Sequence, residues 1–68
     1  MTKEELKRIR KGLGLTQSQF AKALGYTHYS HVSNFETGKK QIPETTWRLA
    51  KMYHKFGIHD ELKPHDVV

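Results

Sequence analysis

Between His28 and Thr37 the chain gathers groups that can both donate and accept hydrogen bonds. They are the imidazoles of His28 and His31, the phenol of Tyr29, the hydroxyls of Ser30, Ser33 and Thr37, and the amide of Asn34. Two lysines, Lys39 and Lys40, follow at once. Val32 and Phe35 have the spacing of an inward helical pair, and a turn of about 100° per residue then points Ser30, Asn34 and Thr37 outward, with Ser33 and His31 flanking. A solvated helix face ordinarily carries Lys and Glu. Short bifunctional side chains suit a different task, reading base edges, while neighbouring basic groups hold phosphates. This spacing assigns Tyr29, Ser30, Ser33 and Asn34 to base reading in double-stranded DNA. Gln17, His28, Thr37, Lys39 and Lys40 are assigned to phosphates. Asn34 is the central reader, because its amide matches adenine N6 and N7 in the major groove.

Other chemistries fit the same residues less well. Five histidines suggest a metal, and His54 and His59 approach a ligand spacing, but His28, His31 and His65 supply no convincing second pair. There is no cysteine to complete a zinc set. No Ser/His/Asp order and no carboxylate pair in an apolar setting is present, and Gly12-Leu13-Gly14 lacks the strand and third glycine of a phosphate loop. The expectation is a binding protein without metal, cofactor or enzymatic activity.

The elements that must position these residues are helical. Thr16 with Gln19 forms a T-x-x-Q capping box, Phe20, Ala21 and Leu24 give a short apolar stripe, and Gly25 ends the helix. After the polar residues Thr27 to Ser30 comes the reading helix, about His28 to Glu36, closed by Gly38. Gln17 opens the preceding helix, where an amide and free N–H groups favour an anion. Upstream, Thr2 and Glu5 form a second capping box, Leu6, Ile9 and Leu13 a stripe, and Gly12 and Gly14 a terminus. Downstream, Pro43 suits the first turn of a fourth helix, whose expected buried stripe is Trp47, Ala50, Tyr53 and Phe56 or Gly57, with Leu49 beside it. Ile58 to Leu62 allow a short fifth helix that Pro64 cuts to about one turn.

With 68 residues and net charge +5 from 12 Lys/Arg against 7 Asp/Glu, the chain has room for one domain (residues 1–68, with a core over about 3–57 and a short extension over 58–68). A chain of this size buries only about 60% of its unfolded surface. The basic balance favours nucleic acid or anionic membrane. Mean hydropathy is −0.78, and no run of about 20 apolar residues marks a membrane span. The start, Met1-Thr2-Lys3-Glu4-Glu5, has no apolar signal region, and without cysteine a reducing interior is expected. Cytoplasm is the expected location.

The chain resembles the Cro/C1-type helix-turn-helix DNA-binding family. The resemblance rests on Leu13-Gly14-Leu15-Thr16-Gln17, Phe20-Ala21 with Leu24-Gly25, Val32-Ser33 with Phe35-Glu36 and Gly38-Lys39, then Ile42-Pro43 and Leu49-Ala50. It covers roughly residues 3 to 57. One departure is a turn between Gly25 and Val32 that is one residue longer than usual. The resemblance implies an all-α bundle of four helices with a possible short fifth. It also implies a structural ion pair between Arg10 and Glu36, with the third helix in the major groove and the second across the backbone. One small domain reads few base pairs, so a homodimer is expected, through Phe56, Ile58 and Leu62. Two roles follow: a sequence-specific regulator acting as a repressor on a short palindromic operator, or an antitoxin-like or accessory protein that binds an unknown protein partner. Only about a dozen residues follow the fourth helix, which favours the regulator.

Overall fold

The computed structural model describes residues 1–57, which form four α-helices: α1 (Lys3–Gly12), α2 (Gln17–Ala23), α3 (Ser30–Thr37) and α4 (Glu44–Phe56). The described residues include no strand, as the all-α expectation requires. The proposed fifth helix, with Ile58 and Leu62, lies outside them.

Both capping boxes form. Thr2 Oγ1 accepts from Glu5 N–H at 3.1 Å while Glu5 Oε1 accepts from Thr2 N–H at 2.9 Å. The Thr2 N–H and, at 3.2 Å, the Thr2 hydroxyl both donate to Glu5 Oε1, and these two bonds, backbone first, hold the Glu5 carboxyl below its ordinary pKa. Thr16 and Gln19 repeat the exchange at 3.1 and 2.9 Å. Each box satisfies two of the N–H groups that a helix start leaves open. The start of α3 is different. Tyr29 flanks it without any side-chain cap, and the helix begins at Ser30, two residues later than the spacing around His28 suggested. Gly38, at φ 83°, then takes the left-handed conformation that lets the chain turn back, and Lys40 N–H reaches Asn34 O at 3.2 Å.

Leu6 of α1, Phe20 of α2 and Val32 of α3 are completely buried and meet Phe35, Ala50 and Tyr53 in one core. The side of α4 that faces this core corrects the expected stripe. Thr46, Ala50 and Tyr53 are buried, whereas Trp47 is only half-buried and Phe56 is 74% exposed. Positions 46, 50 and 53 follow the i, i+4, i+7 rule, and this phase leaves Trp47 at the margin. There the Lys51 ammonium lies 4.8 Å from the Trp47 ring centroid, a cation–π arrangement. A buried Thr at 46 is tolerated because its hydroxyl has a partner, Tyr26, described below. No helix among the described residues is long and apolar enough to cross a membrane.

Candidate nucleic-acid interface

The site begins with how α3 is fixed. At its C-terminal end Glu36 is the centre of a three-residue network. Arg10 Nε donates to Glu36 Oε2 at 2.6 Å and Arg10 Nη2 to Oε1 at 3.2 Å, while Arg10 Nη1 donates to Leu15 O at 2.9 Å. The Arg10 and Glu36 side chains are 11% and 4% exposed. A planar guanidinium bonded to both oxygens of one carboxylate is a rigid joint. It fastens α1 to α3, and its third bond fixes the segment that leads into α2.

Gln17 belongs to the same network. Its Nε2 donates to Glu36 Oε1 at 3.0 Å. The amide assigned to a phosphate from its type and position is therefore engaged with α3 through one of its N–H groups. The start of α2 and the end of α3 are thus tied directly, which holds the two helices at a fixed angle.

At the N-terminal end of α3 aromatic groups replace charges. The Tyr26 and His31 rings stack, with centroids 4.6 Å apart and planes 20° from parallel, and Tyr26 meets Phe35 edge-on at 5.8 Å. The Tyr26 hydroxyl shares a 2.6 Å hydrogen bond with Thr46 Oγ1 of α4. Nearby, Tyr53 Oη donates to Ala23 O at 2.8 Å, fastening the end of α2 to α4. Tyr26 and Thr46 carry no signal in the sequence: one lies in the turn between Gly25 and Val32, the other beside Trp47, a larger candidate for burial.

Between these two anchorages the sequence-assigned readers lie on one stretch of surface. Ser30 and Tyr29 are exposed, the latter by 53%, and Ser33 and Asn34 are half-buried. No hydrogen bond among the described residues engages the Asn34 side chain, so its amide keeps both its donors and its acceptor. His28 is exposed beside Tyr29, their ring centroids 6.0 Å apart. Thr37 is exposed, but its hydroxyl donates back to Ser33 O at 2.9 Å, which leaves only its acceptor capacity outward. Lys39 and Lys40 are exposed in the segment that follows Gly38. The Lys3 side chain of α1, not singled out by its spacing, lies over Gly38 and adds a third ammonium to this end.

Among the described residues no cluster of three metal-ligating side chains occurs. What the arrangement offers is two short helices locked at a fixed angle, with a polar face on the second and cations at its end. That is a helix-turn-helix. The family model described as helix-turn-helix matches residues 6–53, most of the chain. The protein belongs to this Cro/C1-type helix-turn-helix family and is a DNA-binding protein of the transcription-regulator kind. Comparisons with curated proteins and with solved structures return no significant match.

Proposed function

We propose that the protein is a repressor that binds a short palindromic operator as a homodimer, in the cytoplasm, with α3 in the major groove of each half-site. The observation that carries this reading is the α3 surface. An unengaged Asn34 amide stands among Ser30, Ser33 and Tyr29, with Lys39 and Lys40 directly beyond. Asn34 pairs with one adenine, and Ser30, Ser33 and Tyr29 contact adjacent positions. Lys39, Lys40, His28 and the N-terminal turn of α2 at Gln17 hold phosphates and set the register, and Thr37 joins them by turning its hydroxyl proton from Ser33 O to a phosphate oxygen. Arg10 and Glu36 act on the inside, as the joint that keeps the two helices aligned.

The dimer reading rests on the end of α4. Met52 is 46% and Phe56 74% exposed, an apolar edge that continues in sequence into Ile58 and Leu62. Half-sites about one helical turn apart, roughly 34–36 Å, would match a two-fold protein. A selection of bound duplexes from random DNA tests the whole reading. It should enrich two inverted copies of one short sequence at that spacing. Enrichment of no sequence would overturn the regulator reading, and a single asymmetric half-site would overturn the dimer.

A further inference from the structure

The Tyr26 ring and hydroxyl bridge three elements: the turn before α3, α3 itself through His31, and α4 through Thr46. Three properties distinguish this bridge from ordinary core packing. Tyr26 is only half-buried, so its ring is not needed to fill the centre of the core. Its polar tip is spent on a side chain that is 5% exposed, Thr46, in place of water. Its ring face is covered by His31, which lies beside the base-reading residue Ser30 and two residues before Ser33. The start of α3 has no side-chain cap to fix it. Val32 seats this first turn in the core, and the stack and the hydroxyl pair are the side-chain contacts that tie it to the preceding turn and to α4. The backbone path is fixed from the other side as well, since Tyr26 N–H donates to Ala21 O at 2.8 Å.

We infer that Tyr26, held by Thr46 and stacked on His31, is the positioning residue for base reading. It sets the orientation of the α3 N-terminal turn and so governs discrimination between DNA sequences, while contributing little to general attraction for the backbone. This inference rests on the proposed reading of α3 as the base-contacting helix. Its physical basis is preorganisation. A reading turn free to take several orientations must be ordered on the specific site, whereas non-specific binding depends on phosphate contacts that tolerate such freedom.

The test compares Tyr26→Phe, Thr46→Val and the double variant, using the operator obtained by selection and a non-specific duplex of equal length. Each single variant should lower the ratio of specific to non-specific affinity about three- to ten-fold. The double variant should lower it no further, because both changes remove the same hydrogen bond. Non-specific affinity and its salt slope should stay as in the wild type. A second pair isolates the stack: His31→Ala should lower the ratio and His31→Phe should restore it, since a flat ring suffices. A His31→Phe variant no better than His31→Ala would mean that the imidazole itself makes the contact, which contradicts the inference. So would equal losses on both duplexes, an unchanged ratio, or additive losses in the double variant. If the wild type itself shows no preference among sequences, the reading of α3 and this inference fall together. If the wild type selects an operator and the variants keep its ratio, only the inference fails.

Discussion

At its C-terminal end α3 is fastened by charge, through Glu36 to Arg10 and Gln17. At its N-terminal end it is fastened by ring faces and neutral hydroxyls, through Tyr26 to His31 and Thr46. The two anchorages respond to different perturbations. A largely buried ion pair is costly to break on one side, because the remaining charge keeps its desolvation penalty without its partner. Removing the stack loses only contact area and one hydrogen bond, so it loosens geometry more than it unfolds the chain. One short helix therefore has an end held by a charged network and an end held by ring contacts and one hydroxyl pair.

The largest effect is expected at the charged end. Glu36→Ala should destabilise the fold by about 3–5 kcal/mol, enough to unfold much of a small domain, as read from urea denaturation. Arg48 provides the contrast. It pairs with Glu44 on the surface of α4, with side chains 69% and 60% exposed. Arg48→Ala should shift stability by less than about 1 kcal/mol. Similar losses at Glu36 and Arg48 would break the distinction drawn between the two pairs.

Just beyond that end, Lys39 and Lys40 are expected to act on DNA and not on the fold. Changing both to Ala should make the slope of log affinity against log salt shallower by about two units and weaken operator and non-specific binding alike. A changed sequence preference with an untouched slope would show that these lysines do not lie on phosphates.

The aromatic side offers a smaller effect with a pH signature. Burial raises the Tyr53 pKa above its ordinary value of 10.0. The folded chain thus holds the phenol proton more tightly than the unfolded chain does. The associated stability is complete below about pH 10 and is lost as pH rises through the folded-state pKa. Tyr53→Phe should cost about 1–2 kcal/mol at neutral pH, since Ala23 O loses its donor, and should flatten the decline in stability above about pH 10. An unchanged alkaline decline in Tyr53→Phe would place its cause elsewhere.

The contrast between the two ends also explains what was legible in the sequence. Capping boxes are local patterns in which four residues specify both partners, so Thr2/Glu5 and Thr16/Gln19 could be read directly. The four helices followed from apolar spacing and glycine stops. The pairing of Arg10 with Glu36 came only through family resemblance, because 26 residues separate them. The Tyr26–Thr46 bond had neither aid. Its two members are twenty residues apart, and Trp47 outranks Thr46 as a candidate for burial until the Tyr26 hydroxyl is known to be there. Gln17 illustrates the same limit in another form. Its type and place suit a phosphate, but which acceptor its amide meets depends on how α2 and α3 cross.

The central claim, that α3 reads bases through Asn34, is tested most directly by a base-substitution series across the selected operator with wild type and Asn34→Ala. Asn34 is half-buried and no hydrogen bond among the described residues holds its side-chain amide, so the substitution should leave folding nearly unchanged. Its penalty should fall on one A·T pair per half-site and amount to about 1–3 kcal/mol, with the variant indifferent to the base at that position. An equal penalty at every operator position would contradict the account, because Asn34 would then contribute to affinity without reading a base.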